Sequence, residues 1–166
     1  MKKDKPLIGI VMGSDSDIPL MEKAAEICKE FNVSYEMRII SAHRAPNKLK
    51  EFIFEGEKKG IKVFIAGAGL AAHLPGVIAS YTHLPVIGVP LTSGSLKGLD
   101  SLLSIAQMPS GIPVATVAID GTKNAALMAI QMLALSNKQL EQKLIGYKKK
   151  MEKAVINKDK ELMKKK

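Results

Sequence analysis

Two spacings of apolar residues alternate along the chain. The first is a short apolar run, met at residues 7–12 (Leu7-Ile8-Gly9-Ile10-Val11-Met12), 61–66, 85–90 and 113–119. Such runs predict strands buried on both faces of a sheet. The run 35–40, Tyr35-Glu36-Met37-Arg38-Ile39-Ile40, is strand-like as well. Between the runs, apolar residues recur at helical spacing. Leu20, Ala24, Ile27, Cys28 and Phe31 mark one face of a helix that opens near Pro19. Leu49, Phe52, Ile53 and Gly56 mark the inward side of a second helix over 46–59, stopped by Gly60. Further helices are expected up to residue 81, over 99–108 and over 122–135.

Strands alternating with helices five times predict a parallel sheet with helices on both faces. Right-handed crossovers then restrict the topology to a flavodoxin-like or related doubly wound α/β sheet, three layers deep. Residues 1–136 hold this pattern. Residues 137–166 differ in kind: Leu140, Leu144, Tyr147, Met151 and Val155 keep helical spacing within a very polar sequence. A stripe of that sort needs a partner surface. It reads as a C-terminal oligomerisation helix of the same structural domain, packed at a subunit interface. A helix folded back on its own domain is the alternative. Lys164-Lys165-Lys166 reads as a frayed end.

Composition narrows this picture. Aromatics make up 4% of the 166 residues against 46% hydrophobic, so one mostly aliphatic core is expected. The net charge of +9 is local: residues 137–166 carry eleven Lys against four acidic residues, leaving +2 for the rest. A Lys-rich solvated helix accounts for the excess, and the basic patch lacks the interleaved aromatics of a nucleic-acid site. The single cysteine, Cys28, excludes an intrachain disulfide and a multi-cysteine metal site. Its place on an apolar stripe makes it a core residue, with a reactive thiol as the other reading. The N-terminal Met1-Lys2-Lys3-Asp4-Lys5-Pro6 lacks the apolar segment of a secretory signal, and no run is long enough to span a membrane. A soluble cytoplasmic protein is expected.

Chemistry concentrates in three loops at strand carboxyl ends, where open α/β sheets bind ligands. The first, Gly13-Ser14-Asp15-Ser16-Asp17, offers hydroxyls and backbone N–H groups to an anion, with Asp17 suited to ribose hydroxyls. It reads equally as a capping loop built on Ser16 or Asp17. The second, Ser41-Ala42-His43-Arg44-Ala45-Pro46, places a guanidinium that can fork onto phosphate beside an imidazole that can give and take a proton. The third, residues 67–76, has small residues, Gly67, Ala68, Gly69, Ala71 and Ala72, that let backbone approach a flat ligand, followed by His73. His73 reads either as a donor to a carboxylate or as a helix-start residue bonded to backbone. His83 precedes a strand, at the opposite sheet edge, and reads as structural or surface. No metal site is indicated, because neither His43 nor His73 has cysteine or paired carboxylates at ligand spacing. A Gly-x-Ser-x-Gly elbow and a GxGxxG fingerprint are both missing, so hydrolase and dinucleotide-binding readings fall away.

The stretches 11–17, 41–46 and 66–76, the run Leu99-Asp100-Ser101-Leu102-Leu103-Ser104-Ile105-Ala106-Gln107-Met108-Pro109 with Gly111-Ile112-Pro113-Val114, and Asn124-Ala125-Ala126-Leu127 together span roughly residues 7–135. In order and spacing they resemble the PurE family, class I: the 5-(carboxyamino)imidazole ribonucleotide mutases, catalytic subunit of phosphoribosylaminoimidazole carboxylase. The resemblance implies a flavodoxin-like fold, a homo-octamer with sites built from neighbouring subunits, and a cofactor-free transfer of carboxylate from the exocyclic nitrogen to C4 of an imidazole ribonucleotide. It implies that His43 protonates the departing nitrogen and later removes the C4 proton. Ser14, Ser41 and Arg44 would hold phosphate and Asp17 the ribose, with Ser16 a further substrate-binding residue. Gly67, Ala68, Gly69, Leu70, Ala71 and Ala72 would enclose base and CO2, and His73 would support the carboxylate. Two departures are Ala45, where many members have Thr, and a short loop over 120–124. A related class carboxylates aminoimidazole ribonucleotide directly with CO2 and usually has Lys after the His; Arg44 favours the mutase. A non-enzymatic receiver or binding module, whose foothold is Asp15 and Asp17, lacks an acceptor Asp after the third strand.

Overall fold

The computed structural model describes residues 5–164. Met1-Lys2-Lys3-Asp4, on which the leader reading rests, and Lys165-Lys166 of the expected frayed end lie outside the described residues. The chain divides into two compact units, one ending at Ile130 and one starting at Gln131.

The first unit holds five parallel strands: β1 (Ile8–Met12), β2 (Tyr35–Ile39), β3 (Val63–Ala68), β4 (Val86–Pro90) and β5 (Ala115–Thr116). Their order is β2-β1-β3-β4-β5, that of a flavodoxin-like sheet. Helices α1 (Ile18–Glu30), α2 (Pro46–Lys59), α3 (Leu74–Tyr81) and α4 (Leu99–Ala106), with the start of α5 (Thr122–Ala134), connect and cover the strands. β1, β3 and β4 are buried along their whole length, which is why their sequences are almost unbroken in apolar character. Edge strand β2 is half-buried to exposed and tolerates Glu36 and Arg38.

One face carries a continuous apolar cluster. Phe64 and Ala66 of β3 meet Leu49, Phe52 and Ile53 of α2, Leu74 and Ile78 of α3, and Ile105 of α4. Each fully buried Leu, Ile or Phe there contributes roughly 1.5–3 kcal/mol of transfer free energy. The inward side of α2 is the one its spacing predicts, and Gly60 ends it in the left-handed region at φ 118°. On the other face, α1 buries Met21, Ala24, Ala25, Ile27 and Cys28. Burial pushes the Cys28 thiol up to about 11, so it is a core group and not a reactive thiolate.

Three boundaries differ from the sequence reading. β3 starts two residues later than expected and runs through Gly67 and Ala68, since Ile61 N–H is drawn back to the Gly56 carbonyl at the end of α2. β5 shrinks from 113–119 to two residues. It is an edge strand entered through Pro113, which has no N–H, although Val117 N–H still reaches the Gly88 carbonyl at 3.2 Å. α4 stops at Ala106 rather than at residue 108, because Pro109 disfavours helical backbone in the residue before it.

The second unit contains the end of α5 and the long α6 (Lys138–Met163). The Asn137 side chain caps α6 by accepting from Gln139 N–H and Leu140 N–H. Leu140 is buried, whereas Met151 and Val155, on the same stripe, are 48% and 67% exposed. Lys164 N–H donates to the Lys160 carbonyl, so helical bonding extends to the first of the three residues expected to fray. Among the described residues no helix is long and apolar enough to cross a membrane.

Candidate active site

The chain passes from β1 outward to β2 and then back across to β3, so the sequence order reverses around β1. Crevices at such points are where doubly wound sheets bind ligands. Met12 of β1 stands level with Ile39 of β2 and Gly67 of β3, which starts the neighbouring loops at nearly one height. They enclose a cleft of about 540 Å³ lined by Gly13, Ser14, Ser16, Asp17, Ser41, Ala42, His43, Arg44, Ala68, Gly69, Leu70, Ala71, His73, Leu74 and Ser93.

The β1 loop folds into a single 3-10 turn at Asp15–Asp17 ahead of α1. Ser14 caps it: Ser16 N–H donates to Ser14 Oγ at 3.3 Å, and Ser14 N–H donates to Asp17 Oδ2 at 3.1 Å. The cap expected on Ser16 or Asp17 falls on Ser14 instead, with Asp17 closing the box and making no side-chain cap at the start of α1, and Ser14, Ser16 and Asp17 all line the cleft. Burial holds the Asp17 carboxyl above the usual carboxylate range, opposed in part by the bond from Ser14 N–H. Asp15 is held below it, chiefly by the Ser14 hydroxyl and then by Ser16 N–H.

The β2 loop is tied to the β1 loop by one bond. Arg44 Nη2 donates to the Gly13 carbonyl at 2.9 Å, which fixes the guanidinium across the cleft using one of its five donors. Ser41 supports the turn by accepting from Arg44 N–H at its hydroxyl and from Ala45 N–H at its carbonyl. The β3 loop brings His73 to His43. His43 Nε2 and His73 Nδ1 are 2.8 Å apart, with ring planes at 88°, so the rings share a hydrogen bond edge to face.

Of the residues that sequence points to for catalysis or substrate, Gly67 and Ala72 do not line this cleft; the others all do. Ala72 is buried in the core cluster around Phe64. Gly67 belongs to β3, and a Cβ there would collide with Sδ of Met21 on α1. Its smallness makes room for Met21 of α1 against the sheet. Gly69 is the position where backbone closeness matters, because a Cβ there would stand 2.9 Å from Cβ of Ser93. Leu70 takes a left-handed φ of 55° and is half exposed at the lip of the cleft. Ser93, Ala42 and Leu74 line the cleft without being singled out by sequence reasoning. Ser93 has a readable signal, since Thr92-Ser93-Gly94-Ser95 is a polar, Gly-containing loop at the carboxyl end of the next strand. His83 is exposed and precedes β4, away from the cleft. Among the described residues, no three His, Cys, Asp or Glu side chains come together as a metal site.

Comparison with known proteins identifies the family. The profile of the family described as AIR carboxylase matches residues 7–154. A Pyrococcus horikoshii protein named N5-carboxyaminoimidazole ribonucleotide mutase is 60% identical over 162 residues, covering 98% of this chain and 92% of that one. A Pyrococcus abyssi protein of the same name is 56% identical over 151 residues, covering 91% and 87%. The crystal structure of Treponema denticola PurE superposes with a TM-score of 0.87 at 34% identity, over 95% of this chain and 98% of that one. By profile, by sequence and by fold, the chain belongs to the AIR carboxylase family.

Proposed function

We propose that this chain is an N5-carboxyaminoimidazole ribonucleotide mutase, an isomerase of purine biosynthesis that moves a carboxylate from the exocyclic nitrogen to C4 of the imidazole. The observation that carries this reading is the pairing of His43 with His73 at 2.8 Å in the cleft that also holds Arg44 and the Ser14 loop. A proton-transfer group thus stands beside an anion site.

The residues divide the work by chemistry. Arg44, Ser14 and Ser41 supply donors for the phosphate, and Ser16 adds a hydroxyl. Asp17 accepts from ribose hydroxyls with the lone pairs its cap leaves over. Ala68, Gly69, Leu70 and Ala71 present little side-chain bulk apart from Leu70, leaving room for the flat base. In the first step the nitrogen–carboxylate bond breaks and its electron pair goes to nitrogen, which takes a proton from the His43 imidazolium. CO2 and aminoimidazole ribonucleotide remain together in the cleft. C4 then attacks CO2 to form the new carbon–carbon bond, and the now neutral His43 removes the C4 proton. His43 ends as it began, and no proton or electron is gained overall. His73, bonded to the His43 ring, orients it and supports the carboxylate being transferred.

The cleft is open in the single chain, and escaping CO2 would break the sequence. Closure by a neighbouring subunit of a homo-oligomer, an octamer on this reading, meets that need. Residues 1–136 act as the catalytic domain and 137–166 as an oligomerisation helix of the same structural domain. The enzyme works in the cytoplasm on a small ribonucleotide, without nucleic acid or membrane.

Purified protein given the carboxyamino ribonucleotide, without ATP or added bicarbonate, is expected to form the C4-carboxylated product faster than the spontaneous background. No acceleration overturns the proposal. Activity confined to aminoimidazole ribonucleotide with high CO2 would assign the direct carboxylase instead.

A further inference from the structure

Ser93 enters the cleft on the loop between β4 and α4, and that loop is held from outside the cleft. Thr92 N–H donates to Asp120 Oδ1 at 2.8 Å, and Thr92 Oγ1 donates to Asp120 Oδ2 at 2.6 Å. Asp120 N–H in turn donates to the Pro90 carbonyl at 2.8 Å, which fixes the carboxylate against the end of β4. Asp120 sits at φ 56°, in the left-handed region where Asp and Asn are among the few tolerated side chains. Both carboxylate oxygens are thus engaged with one residue, directly next to Ser93. Ser93 in turn lies against Gly69, where even one added carbon would be 2.9 Å from its Cβ. Asp120 itself does not line the cleft.

We propose that Asp120 is a positioning residue for substrate binding. Its carboxylate clamps Thr92, Thr92 sets Ser93, and Ser93 backs the Gly69–Leu70 wall against which the base lies. The proposal rests on the reading of this cleft as the mutase site. It assigns a role to Asp120, in the turn just before α5, that the proposed mechanism leaves without one. Displacing a wall that packs on the base weakens contacts to substrate and transition state alike, a loss that is read in KM.

Two substitutions separate the clamp from the backbone conformation. Asp120→Gly removes both bonds while accepting the left-handed φ more easily. Asp120→Asn tolerates the same φ and can rebuild the clamp, with its oxygen accepting from Thr92 N–H and its amide donating to Thr92 Oγ1. Asp120→Gly is expected to raise KM about tenfold with kcat within about threefold, the pattern of lost binding. Amide hydrogen exchange at Thr92 and Ser93 should quicken in the same variant, and Asp120→Asn should restore both readouts close to wild type. Faster exchange with an unchanged KM would overturn the proposal and leave a purely structural staple; an Asn variant as impaired as the Gly variant would also overturn it. If Asp120→Gly does not fold, Thr92→Val removes the Oγ1 bond alone, and an unchanged KM in that variant overturns the clamp. Wild-type protein without turnover would overturn the mutase reading, while the exchange comparison still decides whether Asp120 holds the loop.

Discussion

His43 Nε2 and His73 Nδ1 meet at 2.8 Å although thirty residues separate them, the first on the loop after β2 and the second at the start of α3. The contact fixes one nitrogen of each ring, so whichever ring donates, the other must present a lone pair. His43 is left with Nδ1, and the orientation of its ring depends on a partner that belongs to a different loop. The roles proposed for them, proton transfer by His43 and orientation by His73, are therefore separable by mutation.

His43→Asn is expected to abolish turnover, a loss of at least about a hundredfold, because no other group would carry the proton in both steps. Binding of the C4-carboxylated product should persist, since Arg44, Ser14 and Ser41 are untouched. Steady-state kinetics beside calorimetric titration of product would check it. Near-normal turnover would remove His43 from the mechanism.

His73→Phe keeps a ring of similar size and deletes the bond to His43. A loss in kcat of about tenfold to a hundredfold is expected, smaller than for His43→Asn. In the double variant the two losses should not add, because each single change disables the same pair. Full additivity would mean that the rings act independently.

Much of the site is legible in the amino-acid sequence alone. The order of short apolar runs and helical stripes is enough for the sheet, and the polar loops at carboxyl ends of strands are enough for His43, Arg44 and Asp17. Two things are not legible, for physical reasons. Gly67 looks like part of a ligand loop because nothing in the local sequence says that Met21, far away on α1, fills the space above it. The bond between His43 and His73 depends on the register of β2 and β3 through β1, which fixes the heights of their loops but has no signature in either loop. The apolar run 113–119 overstates β5 for a different reason: only Val117 of it is buried in the single chain, and its pairing is limited by Pro113 and by having one neighbour.

Gly67→Ala and Gly69→Ala should therefore fail differently. At Gly67 the new methyl runs into Met21 in the core, and overpacking of this kind typically costs about 1–3 kcal/mol. The loss should appear as a lower Tm. At Gly69 the methyl pushes on Ser93 at 2.9 Å and distorts the cleft wall, so the effect should appear as a raised KM with little change in Tm. Thermal unfolding and kinetics on the two variants decide it; the reverse pattern would return Gly67 to the ligand site.

Asp15 and Asp17 are two residues apart and should respond to acid in opposite senses. Asp17 has its carboxyl raised above 3.8 by burial, so the folded state holds that proton more tightly than the unfolded one. Its contribution favours folding at low pH and is lost as pH rises from 3.8 through the raised value. Asp15 is lowered from 3.8, first by the Ser14 hydroxyl, so its contribution is present above 3.8 and is lost as pH falls through the lowered value. Relative to wild type, Asp17→Asn should gain stability as pH rises from 3.8. Asp15→Asn should differ from wild type in the opposite sense, its deficit shrinking as pH falls below 3.8. Tm measured against pH for both variants tests the signs, and parallel curves would show that the cap couples the two carboxylates into one titrating unit.

Met151 and Val155 continue the stripe begun by buried Leu140 on α6, yet both lie open in the single chain. Leaving apolar side chains of this size in water forgoes roughly 1.5–3 kcal/mol apiece. A neighbouring subunit would recover that energy, which fits the oligomer proposed for closing the active site. Met151→Glu with Val155→Glu places two carboxylates on this face of α6 in the full chain, and a helix that stays in water should accept them. If the face is an interface, burying two unpaired charges there is prohibitive. The variant should then sediment and scatter light as a smaller species, and its turnover should fall because the cleft is no longer closed. An unchanged mass with unchanged turnover would take this stretch of α6 out of the assembly.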